Sequence, residues 1–313
     1  MGQVSGRALD ILDSLRIVVE QLGRPLLLRG LWISGCMLLA FGTTHAGDRR
    51  YDADVSTWKR EVRPRERKTA AYKLWFRAGN SSELEWWVFR QDGKVRARLS
   101  NEPPNEAGES PRFTPKAGRF RNASALARVN DGWLVGFNEG EFGGALYWFS
   151  RDGNASYMIS QHQVVAFFCW ADSVHAIEGL EHLGLSHGSV IRIDRQRAEE
   201  RWRATVLVDL ASAPHAVTPH QDGTILITVS DGIVAVGPDR TVSRLLANRE
   251  LGAFLPTSSA LTVDGQRLYI GMRQFVGEFS LTTKRFRYLI PARRFLNQLP
   301  RDVEHRIRKL YRE

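Results

Sequence analysis

Apolar and polar residues alternate at two-residue spacing over most of this chain, in short runs closed by Gly, Asp, Asn and Pro. The clearest stretch runs from Pro214 to Leu246. Val217 to Gln221 leads into Asp222-Gly223, Ile225 to Val229 into Asp231-Gly232, and Ile233 to Val236 into Gly237-Pro238-Asp239, before Val242 to Leu246. Asp-Gly between β-branched runs predicts tight antiparallel turns, because glycine and, less readily, aspartate accept a positive φ. Four strands joined this way form a meander of about 40 residues, the size of one propeller blade.

The same pattern recurs three more times. One blade is expected from Ala125 to Ser160, a second from Val164 to Asp209 and a fourth from Ser259 to Ile290. Turns between the first two strands fall at 131, 172, 222 and 264, so the step is 41 to 50 residues. A sandwich turns every 8 to 12 residues without such a super-period, which sets it aside. Further strands are expected over Lys73 to Phe76, Leu84 to Arg90 and Val95 to Leu99, most of a fifth blade, and the polar loop Asn101 to Pro115 has room for part of a sixth. The expectation is an all-β fold, a β-propeller of five or six four-stranded blades over residues 72–291.

The period changes after residue 291. Leu296, Leu299, Val303, Ile307 and Leu310 lie three or four apart, with Pro300 suited to a first helical turn, so 292–313 reads as an amphipathic helix with a basic outer face. It is expected to pack on the underside or rim of the propeller, or to meet a membrane surface or a partner. Residues 47–71 are highly charged with little periodicity and read as a lead-in.

Residues 1–46 read as an export segment. Arg24 and Arg29 precede the uncharged run Leu31 to Gly42, and Thr44-His45-Ala46 follows it. A basic flank, a short apolar core and small residues before a cut are the pattern of a signal peptide cleaved after Ala46. Retained, the segment would be an N-terminal anchor, although its twelve residues fall short of the roughly 20 that span a bilayer. Ile33-Ser34-Gly35-Cys36 also resembles a lipobox. A periplasmic or secreted location follows, membrane-anchored if the segment stays. Cleavage leaves Cys169 as the one cysteine, expected to pack as a small buried apolar side chain.

Net charge is +10. Between Lys284 and Glu313, ten Lys and Arg face three acids. No nucleic-acid module accompanies them, so solvated edges or attraction to an anionic surface are the expected use, and no nucleic-acid partner is expected. Nine tryptophans, Trp86, Trp87 and Trp148 among them, are expected to pack between blades. Adjacent Trp86 and Trp87 must point to opposite sides of their strand.

Pro214-His215, followed by Asp222-Gly223 and an alternating strand, resembles the blade starts of NHL-type and virginiamycin B lyase-like propellers. That resemblance implies the propeller fold, with His215 near the central channel, and in the lyase family the histidine of this pair is catalytic. Ala216 stands where glycine is usual, and the other blades lack the pair.

Blade topology assigns the candidate residues to one face. The connection from strand two to strand three lies on the same side as the crossing to the next blade, which gathers the segments Asn138 to Gly144, Ser160 to Gln163, Glu178 to Gly188 and Ala211 to His215. Asn138, Glu139, Glu141, His162, Glu178, Glu181, His182, His187 and His215 come with them. Loops of this kind around a channel mouth are where propellers bind ligands. Glu141, Glu178 and His182 are candidate ligands for a divalent metal, and His215 and His182 are candidates for proton transfer. No HxH, HExxH or CxxC spacing or nucleophile motif appears. The leading expectation is a scaffold or binding module for an envelope protein or a small ligand. The competing one is a metal-dependent hydrolase or lactonase, or a lyase, acting at the same face.

Overall fold

The computed structural model describes residues 51–61, 63–64, 69–80, 84–100, 110–196 and 201–310. The expected signal or anchor segment lies outside the described residues. So do residues 101–109 of the polar loop.

Five antiparallel sheets carry the described chain. Strands are numbered along the chain: β1 is Tyr51–Asp54, β2 Lys59–Glu61, β3 Glu85–Gln91 and β4 Lys94–Ser100. Blade I holds β5 (Ala125–Val129), β6 (Gly132–Asn138), β7 (Gly144–Ser150) and β8 (Ser156–Ser160). Blade II holds β9 (Val164–Trp170), β10 (Ser173–His182), β11 (Leu185–Gln196) and β12 (Arg201–Leu210). In blade III are β13 (Pro214–Pro219), β14 (Ile225–Val229), β15 (Gly232–Val236) and β16 (Val242–Ala247). Blade IV has β17 (Ser258–Leu261), β18 (Arg267–Gly271), β19 (Val276–Ser280) and β20 (Phe286–Ile290), with β2 added outside β20. Blade V has three strands in the order β1, β4, β3.

The charged lead-in is therefore not a plain linker. Its β1 completes blade V and its β2 extends blade IV, so one segment stitches two blades together. Outer strands need only backbone partners, and the few apolar side chains there, Ala53, Val55 and Trp58, are buried.

Hydrogen bonds tie blades I to V together in sequence, most of them at or near the innermost strands. Ser124 Oγ donates to Val164 O at 2.8 Å, the Ala213 amide to Ser186 Oγ at 2.8 Å, and the Val88 amide to Ser258 Oγ at 2.8 Å. Thr218 Oγ1 and Ser259 Oγ lie 2.6 Å apart. Between them run apolar cores. Blade III is flanked on both sides, and β14 and β15 are buried along their whole length. Against blade I, the side away from blade II is covered by Phe113, Ala117 and Phe120 of the loop before β5 instead of by another sheet.

The expected strand at Lys73 to Phe76 is a helix, α1, Ala70–Gly79. Tyr72, Trp75 and Phe76 are spaced three and four apart, and the Thr69 side chain caps the first turn by accepting from the Tyr72 amide. Four residues of apparent alternation were too short a sample to separate the two periods. Trp75 packs against Phe254, Phe275 and Tyr288, with ring centroids 5.0, 5.7 and 5.2 Å away. The tail forms a short 3-10 turn, Arg293–Gln298, and then α2, Arg301–Leu310. Leu296, Leu299, Val303, Ile307 and Leu310 all join the core that holds Trp75. Phe254 precedes β17 and Phe275 joins β18 to β19, so both helices cap the loop-bearing face and not the underside.

Cys169 is exposed rather than buried. Strand alternation in β9 sends Phe168 into the blade core and its neighbour to the opposite side. Trp86 and Trp87 do divide in this way: Trp86 is buried against Trp58 at 4.7 Å, and Trp87 is half-buried.

Candidate functional site

The expected loop Glu178 to Gly188 is a hairpin. β10 and β11 stay in register out to His182 opposite Leu185, and Leu183-Gly184 turn with φ of 45° and 89°. This hairpin continues past Glu178, the last residue of β10 paired with β9, and organises the site. Period-two alternation sends successive side chains to opposite sides. His182 reaches back to blade I, its Nε2 2.7 Å from Glu141 Oε2. Glu181 reaches forward to blade III, its Oε2 3.2 Å from His215 Nε2.

His215 lies at a bulge, where the pairing of β13 with β14 shifts between Pro214 and Ala216. The extra residue re-aims the imidazole at the hairpin. Its side chain is 17% exposed. The hydrogen bond from His215 holds the Glu181 carboxyl below the usual carboxylate range, against the opposing effect of partial burial. Gly252 leaves the space this carboxylate occupies: a Cβ there would come within 3.0 Å of Glu181 Oε2 and of Ser230 O.

The remaining candidates lie outside these two contacts. Asn138 Oδ1 accepts from the Gly140 amide at 3.0 Å and its Nδ2 donates to Gln163 O and Gly179 O at 3.4 Å. Glu178 Oε1 accepts from Ser189 Oγ at 2.5 Å, on the strand opposite. His162 Nδ1 lies 2.8 Å from Ser160 Oγ. The Glu139 amide donates to Gly143 O, closing its loop, and His187 is exposed. Two pairs therefore form, Glu141 with His182 and Glu181 with His215, and Glu178 joins neither. Among the described residues no three of His, Cys, Asp and Glu come together in a way that could hold a metal ion.

Sequence reasoning missed Ser186, Ser230 and Gln163. Ser186 Oγ lies 3.2 Å from Ser230 Oγ, and Gln163 Nε2 donates to Gly140 O at 2.5 Å. Serine and glutamine carry no titratable group or motif that would single them out, and only proximity across blades reveals them.

Fold and face together define a β-propeller that presents paired histidines and carboxylates on its loop-bearing side. No protein-family model and no curated protein matches the sequence. Among solved structures it is similar to virginiamycin B lyase from Staphylococcus aureus, at 14% identity over 55% of this chain and 57% of that one, TM-score 0.38. It is also similar to a gluconolactonase from Xanthomonas campestris, at 10% over 57% and 60%, TM-score 0.38, and to a chain of a nidogen/laminin complex, at 9% over 69% and 79%, TM-score 0.40. The chain spans little more than half the length of the lyases it matches. The resemblance read from Pro214-His215 holds at the level of architecture. Likenesses of this strength say nothing of ligand or chemistry.

Proposed function

We propose that the protein is an exported propeller that binds a ligand at the channel mouth beside His215, as a recognition module and not as a catalyst. One observation carries this reading: the histidine–carboxylate contacts of the face are two separate pairs, one on either side of the hairpin. His182 faces Glu141 and His215 faces Glu181, on opposite sides of the hairpin, so they do not converge on a common point where a substrate atom would sit. Catalysis by several groups needs such convergence. What the face offers is hydrogen-bonding capacity held in fixed positions, which suits recognition of a polar small molecule or of a polar segment of an envelope protein.

A second reading rests on the pair of Glu181 with His215 alone. A carboxylate kept ionised beside an imidazole orients that imidazole for proton transfer, the general acid–base part of a lyase or hydrolase reaction. A paired screen separates the two. Native protein and its His215→Ala variant are taken through a small-molecule library, with thermal shift and mass spectrometry read on the same mixtures. Ligands that raise the melting temperature of the native protein only, and are recovered unchanged, support recognition. A compound whose mass changes only when His215 is present would replace this reading with the enzymatic one.

A further inference from the structure

We propose that the loop-bearing face is the side the protein lays against a membrane, with an anionic lipid surface as the partner. Three features of the same face lead there. The first is the tip of the β10–β11 hairpin. Leu183 is 92% exposed and Leu185 64%, and Phe142, next to the Glu141 that contacts His182, is 65% exposed. Exposed apolar side chains at the tip of a hairpin are suited to the headgroup boundary of a bilayer. The carboxylates beside this tip, Glu141 and Glu181, each lie against a histidine.

The second feature is the helical cap. Lys73 and Arg77 of α1, Arg294, and Arg301 and Lys309 of α2 are exposed. The two acids of α2 are occupied within the helix, Asp302 with Arg306 and Glu304 with Arg308. Insertion of α2 itself is excluded, because Val303, Ile307 and Leu310 are buried on the propeller. The cap meets solvent with cations only in excess, which complements an anionic surface.

The third feature is where the chain comes in. Tyr51 pairs with Leu99, next to the end of β4 that lies opposite the start of β3, and that end belongs to the loop-bearing face. Residues 43–50 alone separate Tyr51 from the apolar run that ends at Gly42. Eight residues reach at most about 30 Å. If that run is seated in a bilayer, this face is the one held against it.

The docking rests on none of the ligand chemistry of the preceding section and is read without a ligand. The test uses the full chain with Cys36 and Cys169 replaced by serine. Single cysteines carrying a fluorophore are placed at the tip (Leu183→Cys), on the cap (His305→Cys) and on the opposite face (Asp239→Cys), and each protein is bound to phosphatidylserine-containing vesicles with headgroup-level spin-labelled lipids. Positions 183 and 305 should be quenched several-fold more than 239. Equal quenching at all three, or most at 239, overturns the proposal. Reversing Lys73, Arg77, Arg301 and Lys309 to Glu, with an unchanged urea midpoint as the check on folding, should bring the quenching at 305 on anionic vesicles down to the level seen on neutral ones, as should high salt. Quenching at 305 that the reversal leaves unchanged refutes the role of charge.

Discussion

Trp75→Ala is the sharpest test of how the face is built, because one side chain carries the seating of α1. Trp75 is 1% exposed and meets three aromatic rings contributed by the connection before β17, the turn after β18 and β20. A tryptophan buries roughly 150 to 250 Å², worth about 4 to 6 kcal/mol at ~25 cal/mol per Å². Unfolded chains already hide part of that area, and measured losses for aromatic-to-alanine changes in cores run about 3 to 5 kcal/mol, so about 4 kcal/mol is the expected loss. The indole Nε1 is buried without a hydrogen-bond partner, so removing it relieves a desolvation cost and holds the net loss toward the lower end of that range. Trp75→Phe sheds the same unpaired donor while keeping most of the ring, and should cost less than half as much. Urea unfolding followed by circular dichroism reads both, since eight other tryptophans confuse fluorescence. A Trp75→Ala midpoint within about 1 kcal/mol of the native one would mean that α1 is not docked on the blades, and the cap of the loop-bearing face would go with it.

His175 gives a pH dependence. Burial lowers its pKa from 6.5, and its Nδ1 bonds to Ser173 O at 3.0 Å. Below pH 6.5 the unfolded chain takes up a proton that the folded one refuses, so stability falls on acidification, by up to about 1.4 kcal/mol per pH unit until the lowered folded pKa is reached. His175→Phe, with melting followed from pH 7 to 5, should flatten that decline; an unaltered slope would assign it elsewhere. Gly232→Ala should cost well over 2 kcal/mol in urea, because φ is 157° and the new Cβ would fall 1.9 Å from Leu246 O of the paired strand. Glu250→Ala should cost about 2 kcal/mol, since Arg63 at 2.5 Å and Tyr72 Oη at 2.8 Å lose their acceptor within a part-buried cluster. A change below half a kcal/mol there would show that the lead-in is not fastened at this point.

The blade repeat was legible in the sequence because its information is local. Asp-Gly turns and two-residue alternation specify hairpins over ten residues at a time, and blade III came out of the coordinates nearly strand for strand. Topology then assigned the connections to one face without any knowledge of contacts. The helix at Ala70–Gly79 was misread because its period shows only when Tyr72 and Trp75 are seen to share a buried side. The strands β1 and β2 were invisible for a related reason: a charged edge strand is held by the backbone of its neighbour, and no side-chain pattern marks it.

What tertiary structure alone decided is who meets whom. His182 and Glu181 are adjacent in sequence, and alternation says only that they part company; that one finds Glu141 and the other His215 depends on blades I and III standing on either side of the hairpin. The choice of face for α2 was likewise undetermined until the aromatic floor of Phe254, Phe275 and Tyr288 existed for both helices to cover. Local hydrogen bonding and sterics write the strands and turns, whereas pairings between groups 34 or more residues apart arise only when the sheets have been brought round beside each other.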